Sequence, residues 1–69
     1  MAVQKAVDLI GTGASVDEAV AEAIDRAALT LDGLTRFEII SLSGEIQDGR
    51  LTYEARVRVW FVLLERVHG

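Results

Sequence analysis

Two side chains of this sequence, Arg36 and Trp60, are of types that bind planar rings. An indole offers a large stacking surface, and a planar guanidinium either stacks on an aromatic ring or binds a phosphate. If the last two strands pair with one extra residue in a β-bulge, Arg36 lies directly opposite Trp60. Two interpretations follow. In the first, Trp60 stacks on a ligand while Arg36 brackets its ring or binds its phosphate. In the second, Trp60 itself fills the space where such a ligand would bind, and Arg36 lies over the indole ring in a cation–π pair.

The other polar residues do not form a catalytic pattern. The chain has no cysteine, and its single histidine, His68, stands beside the C-terminus with no nucleophile nearby. Gly11-Thr12-Gly13 resembles a phosphate loop but lacks the third glycine. Glu38 and Arg58 are predicted to face each other on two adjacent strands. An opposite-charge pair of this kind usually stabilises the sheet and has no further role. The sequence therefore predicts a protein that is not an enzyme, with no metal-ligand motif.

Length and charge narrow the function classes further. A chain of 69 residues without cysteine has a marginal core of its own, and oligomerisation is a common remedy. The net charge of −4 disfavours nucleic acid, because phosphate binding needs clustered Lys and Arg. No apolar run approaches the roughly 20 residues that span a membrane, and no signal peptide is recognisable. We therefore expect a cytoplasmic protein with neither a nucleic-acid nor a membrane partner.

The elements that position these residues begin with a strand and a helix. The strand is predicted at Val3–Ile10. Ser15 and Glu18 form a capping box, in which each side chain satisfies a backbone N–H at the start of the helix. Apolar residues then recur at helical spacing for about 16 residues. Gly33 is predicted to supply the left-handed residue that ends this helix.

Two long strands follow, Leu34–Ile46 and Leu51–Leu64, and Asp48-Gly49 joins them. This dipeptide favours a two-residue type I′ hairpin, because both positions need positive φ. The last strand becomes apolar on both faces near its end, so Val62 and Leu64 are predicted to form a subunit contact. The sequence thus predicts an α+β fold of order β-α-β-β, with one helix on a three-stranded antiparallel sheet.

The pairing of the two long strands requires one irregularity. In an unbroken ladder, Glu38 would lie beneath the helix and Phe37 would point away from it. A β-bulge at Ile40-Ser41 shifts the register by one residue and corrects both positions. The corrected register returns Phe37 to the helix side and brings Arg36 opposite Trp60.

Six short segments carry a resemblance that covers nearly the whole chain. They are Val7–Thr12, Ala23–Ala27, Thr30-Leu31, Phe37-Glu38-Ile39, Gly44-Glu45-Ile46 and Val59–Leu63. In order and spacing they are similar to the dodecins. The resemblance implies a single domain over residues 1–69 that assembles into a hollow homododecamer. It also implies non-catalytic binding, storage or sequestration of a flavin such as riboflavin, FMN or lumichrome.

The flavin site implied by this resemblance is altered at three positions. Arg36 stands where the family has its stacking tryptophan, immediately before the Phe-Glu pair. Glu54 stands where the family has a glutamine, and a carboxylate accepts hydrogen bonds from the ring edge but cannot donate them. Trp60 replaces a residue that is usually small. The resemblance therefore implies flavin-binding residues at Arg36, Phe37, Glu54 and Trp60.

A second function stays open beside flavin binding. The resemblance also implies a calcium-binding variant, because some dodecin relatives that lack the tryptophan are described as binding calcium. No spacing of alternating acids in this sequence resembles a calcium loop. The alternative is therefore a structural shell of the same fold that has lost flavin binding and holds ions such as calcium.

Overall fold

The fold is seen in a computed structural model that describes residues 2–64, with side chains from Val3 to Leu63. The elements are β1 (Ala2–Gly13), α1 (Val16–Ala28), β2 (Leu34–Gln47) and β3 (Arg50–Leu64). The strands form an antiparallel sheet in the order β1-β3-β2, so β3 is central. The predicted β-α-β-β fold is confirmed. The Leu64 side chain, predicted at a subunit contact, and His68 lie outside the described part.

Helix α1 begins at the predicted cap. Ser15 has extended backbone angles, with φ at −145° and ψ at 165°, and its hydroxyl accepts a hydrogen bond from the Glu18 N–H at 3.1 Å. The Glu18 carboxylate in turn accepts from the Ala14 N–H at 2.9 Å. Both bonds satisfy backbone donors that the first helical turn leaves without partners.

The end of α1 differs from its prediction. The helix ends at Ala28 after 13 residues, and its cap residue Leu29 keeps right-handed angles. The N–H groups of Leu29 to Leu31 donate to the carbonyl oxygens of Arg26 and Ala27, so the last turn closes without a left-handed residue. Gly33 does have a positive φ of 69°, but it lies in the loop before β2. The prediction that Gly33 ends the helix is therefore wrong.

The hairpin between β2 and β3 has the predicted turn. Asp48 and Gly49 both have positive φ, at 51° and 77°, as a type I′ turn requires. Gln47 pairs with Arg50 directly beside the turn. The turn therefore sets the register for the strand pairs that follow.

The predicted β-bulge is confirmed. The pairing of β2 with β3 shifts between Ile39 and Ser41, which leaves Ile40 as the extra residue. A second irregularity, between Leu34 and Arg36, was not predicted. Because the first shift reverses the alternation of side chains, it decides which residues of β2 share a face with Arg36.

The core lies between α1 and the strands β1 and β3. The helix buries Ala19, Ala23 and Ala27 against the buried Val57 and Val59 of the central strand. These small residues let the helix approach the sheet closely. Each fully buried side chain adds apolar area to the core, at about 25 cal/mol for every Å² removed from water.

Strand β2 receives no such cover. On its helix side Phe37 remains 49% exposed, Ile39 41% and Leu42 48%. The helix packs on β1 and β3 instead, so one edge of the sheet has an apolar surface open to solvent. A contiguous apolar surface of this kind is typical of a contact with another molecule.

Candidate functional site

The face of the sheet that points away from α1, called the open face below, carries most of the polar and aromatic residues. Each row across this face takes one residue from β1, one from β3 and one from β2. The rows are Ala6–Trp60–Arg36, Asp8–Arg58–Glu38, Ile10–Arg56–Ser41 and Thr12–Glu54–Ser43. Because side chains alternate along a strand, residues two apart in one strand are neighbours on this face.

Arg36 and Trp60 are in direct contact on the open face. The Cζ atom of Arg36 lies 4.2 Å from the centroid of the indole ring. Arg36 is exposed and Trp60 is half-buried. A cation–π contact at an exposed site contributes about 0.5–1 kcal/mol. The guanidinium thus occupies one face of the only tryptophan in the sequence.

The neighbouring row holds a bidentate ion pair. Arg58 donates from Nε to Asp8 Oδ1 at 2.9 Å and from Nη2 to Asp8 Oδ2 at 3.1 Å. These hydrogen bonds hold the pKa of the Asp8 carboxyl below its ordinary value, and they raise the pKa of Arg58. The charge of Arg56 lowers the pKa of Asp8 further, although by less than the hydrogen bonds do.

The expected partner of Arg58 was Glu38, and the structure corrects this. The register does place Glu38 opposite Arg58. However, Arg58 lies on the central strand and therefore has an acidic neighbour on each side, and its two hydrogen bonds go to Asp8. The strand pairing was predicted correctly, but the side-chain pairing was not.

Glu54 shares the open face with Trp60 but lies far from it. Trp60 follows Glu54 by six positions along β3, which corresponds to roughly 20 Å of extended strand. Glu54 lines a polar cavity of about 220 Å³ with Ile10, Ser41, Ser43 and Arg56. Within one chain, Glu54 and Trp60 therefore cannot contact the same ring.

Phe37 lies on the opposite face of β2, the side of the helix. It pairs with Val59 and lines an apolar cavity of about 180 Å³. The other residues around this cavity are Ile24, Leu34, Thr35, Arg36 and Val59. Of the four residues named from the sequence, the structure thus brings Arg36 and Trp60 into contact and places Phe37 behind them.

Sequence reasoning missed the contribution of β1. Gln4, Ala6 and Asp8 lie on the open face and pair with Val62, Trp60 and Arg58. No tight turn connects β1 with β3, so no local signal sets their register. The only available sign was the alternation of residue types in β1.

The described residues hold neither a cluster of metal ligands nor a membrane-spanning helix. Among residues 2–64, no three His, Cys, Asp or Glu side chains lie together in a way that could hold a metal ion. Over the same residues, the helix is too short and too polar to cross a membrane.

The fold and this site define a class of protein. It is a small α+β protein in which one helix covers one side of a three-stranded antiparallel sheet, while the other side carries an aromatic ring among charged groups. The family model for dodecin matches residues 3–64. The chain belongs to the dodecin family, which confirms the resemblance found in the sequence.

Solved structures agree with this membership. A mutant of the T. thermophilus dodecin is 32% identical, with a TM-score of 0.88, over 96% of this chain and 100% of that one. The dodecin from Streptomyces davaonensis is 32% identical, with a TM-score of 0.84, over 93% and 97%. The dodecin from Streptomyces coelicolor is 31% identical, with a TM-score of 0.85, over 94% and 96%. A comparison with curated proteins gave no match.

Proposed function

We propose that this protein binds a flavin without transforming it, and stores or sequesters riboflavin, FMN or lumichrome in a hollow homododecamer. Membership of the dodecin family supports this function, because dodecins are known as non-catalytic flavin-binding proteins. The observation that carries the proposal for this chain is the contact of Arg36 with Trp60 on the open face. The proposed unit is one domain over residues 1–69, located in the cytoplasm.

Assembly with copies of itself is supported by the apolar surface that α1 leaves uncovered on β2. Phe37, Ile39 and Leu42 expose between 41% and 49% of their surface on the helix side of β2. A second copy would bury this surface, and symmetric homo-oligomers are the commonest assemblies of soluble proteins. A second proposed contact, on the open face, includes Val62, which pairs with Gln4, and Leu64 at the end of β3. The acidic net charge of −4 supports neither nucleic acid nor anionic membrane as a partner.

The proposed roles of the site residues follow from their positions. Trp60 provides the stacking surface, and Arg36 covers one side of it and reaches a phosphate group where the flavin carries one. Phe37 supports Arg36 from the other face of β2. Glu54 lies roughly 20 Å along β3 from Trp60. Glu54 therefore accepts a hydrogen bond from a flavin that is bound mainly by another copy.

The proposal is tested with flavin itself. The purified protein is examined for a visible flavin spectrum, then titrated against riboflavin while flavin emission is followed. We expect quenching with a dissociation constant in the micromolar range or below, and loss of quenching in Trp60→Leu. Colourless protein that fails to quench riboflavin at micromolar concentrations would overturn the function.

One observation favours the second function, a shell of the same fold without flavin. The guanidinium of Arg36 already covers one face of Trp60, as expected if the pair fills the pocket. Within residues 2–64 of one chain no cluster of metal ligands is present, so bound calcium would need carboxylates from several copies. Riboflavin binding by Arg36→Trp/Trp60→Gly, together with none by the parent protein, would favour this second function. Calcium titration of the parent by calorimetry then tests the ion.

A further inference from the structure

Trp60 has a neighbour on each side across the open face, one with a large side chain and one with a small side chain. Its neighbour in β2 is Arg36, whose guanidinium lies over the ring. Its neighbour in β1 is Ala6, whose side chain is a single methyl group. Ala6 is exposed, so the indole does not lie over it. The small, exposed side chain of Ala6 therefore leaves the surface of the sheet accessible beside Trp60.

We propose that a planar heteroaromatic ring binds above Ala6, stacked on the face of Trp60 that Arg36 does not cover. This inference rests on the proposed flavin-binding function and specifies where the ring lies. The resulting order across the sheet is guanidinium, indole, ligand ring. Arg36 then keeps its contact with Trp60 when the ligand binds, so no existing interaction has to be broken. Stacking in offset geometry favours two large rings in this arrangement.

The ends of this space carry groups that suit the edge of a flavin ring. Gln4 and Asp8 lie on the same face as Ala6, each about 7 Å from it along β1. Gln4 is exposed, and its amide both donates and accepts hydrogen bonds. The edge of a flavin ring presents one N–H between two carbonyl groups, which an amide can match. The carboxylate of Glu54 cannot donate to those carbonyl groups, whereas the glutamine that dodecins have at this position can. The amide of Gln4 therefore supplies the hydrogen-bond donor that Glu54 lacks.

A ring on the other face of Trp60, toward β2, would bind differently. A ring on the β2 side of Trp60 would have to displace the guanidinium of Arg36, which lies 4.2 Å from the indole centroid. Removal of Arg36 would then strengthen binding, and a larger side chain at Ala6 would have little effect. The two arrangements therefore predict opposite responses to two substitutions.

The test measures riboflavin affinity in three variants of the full chain. Ala6→Leu fills the space above β1 and should raise the dissociation constant about tenfold or more. Ala21→Leu makes the same change at an exposed helical position and should leave the constant within about threefold. Arg36→Ala removes the group that holds the other face of the indole, so it should weaken riboflavin binding rather than tighten it. Unchanged binding by Ala6→Leu, or tighter binding by Arg36→Ala, would overturn the inference while leaving flavin binding intact. A parent protein that does not bind riboflavin would overturn both.

A second measurement needs no substitution at the site. Alanine methyl groups are labelled with ¹³C, and their NMR shifts are followed during the riboflavin titration. A ring stacked above Ala6 should shift its methyl signal more than the signals of Ala14 and Ala21, which are exposed elsewhere. Equal shifts of all three signals would contradict the inference even if Ala6→Leu failed to fold.

Discussion

Arg58 on the central strand donates two hydrogen bonds to Asp8 on β1, although Glu38 on β2 stands opposite it on the other side. The bonds join residues that are 50 positions apart in the sequence. They tie β1 to β3 on the open face, which α1 does not cover. The pair also fixes the Asp8 side chain, which lies beside the proposed ring site because Asp8 is two residues from Ala6 on the same face.

Asp8→Asn should weaken the fold more than Glu38→Gln, because only Asp8 receives the two hydrogen bonds of Arg58. Each variant removes one negative charge opposite Arg58, so the comparison isolates the hydrogen-bonded geometry. The measurement is the midpoint of chemical unfolding at neutral pH. Equal midpoints for the two variants would show that the pair contributes only through long-range charge.

The same pair predicts a pH dependence. The pKa of Asp8 is lowered in the folded state, so the stability it contributes is fully present above the unfolded value of about 3.9. That stability is lost as the pH falls through the lower pKa of the folded state. Thermal unfolding from pH 6 to pH 2 should therefore show a loss in the parent that is smaller in Asp8→Asn. The prediction fails if both proteins lose stability equally.

Gly11→Ala should prevent α1 from packing on β1. A Cβ atom at Gly11 would overlap the carbonyl oxygen of Ala19 and lie 2.7 Å from the backbone nitrogen of Ala23. Backbone atoms, unlike side-chain atoms, cannot rotate away from the new Cβ. We therefore expect the free energy of unfolding to fall by at least about 3 kcal/mol, at the upper end of overpacking costs. The measurement is the free energy of unfolding in denaturant.

Gly49→Ala is the matched control for Gly11→Ala. Its Cβ would have open space around it, but its φ of 77° is unfavourable for alanine. The expected loss is about 1 kcal/mol, the cost of a left-handed residue. If Gly11→Ala were no more destabilising than Gly49→Ala, the close approach of helix and strand would not limit this position.

Deletion of Ile40 should leave the fold and its assembly intact. Ile40 is the extra residue of the bulge, so without it an unbroken ladder from the Asp48-Gly49 turn would still pair Ile39 with Val57 and keep Phe37 on the helix side. Ile40→Ala keeps the bulge and is the control. Circular dichroism and light scattering should show a folded protein of parental size for both variants. A deletion variant that is unfolded or of different size would mean that the bulge does more than set the register.

Leu42→Asp should reduce the size of the assembly without unfolding the chain. Leu42 is 48% exposed in the single chain, so a carboxylate there remains hydrated until a second copy covers it. Ser43→Asp places the same charge on the open face and is the control. Light scattering should give a smaller particle for Leu42→Asp than for the parent. Identical sizes would exclude the helix side of β2 from the contact.

The parts of this fold that the sequence determined are local. The Ser15 cap and the Asp48-Gly49 turn each depend on a few consecutive residues whose backbone preferences are strong. The bulge at Ile40 also followed from the sequence, because the turn fixes the count of residues and the alternation of side chains allows one solution. That count also places Arg36 opposite Trp60, where the two side chains are in contact.

Only the tertiary structure decided how β1 joins the sheet. The helix and β2 separate β1 from β3, so no turn sets its register, and the pairing depends on how α1 packs across Gly11. That packing brought Asp8 to Arg58 and placed Ala6 beside Trp60. The sequence determined which side chains are of types that stack on a planar ring. The pairing of distant strands decided which side chains lie next to them.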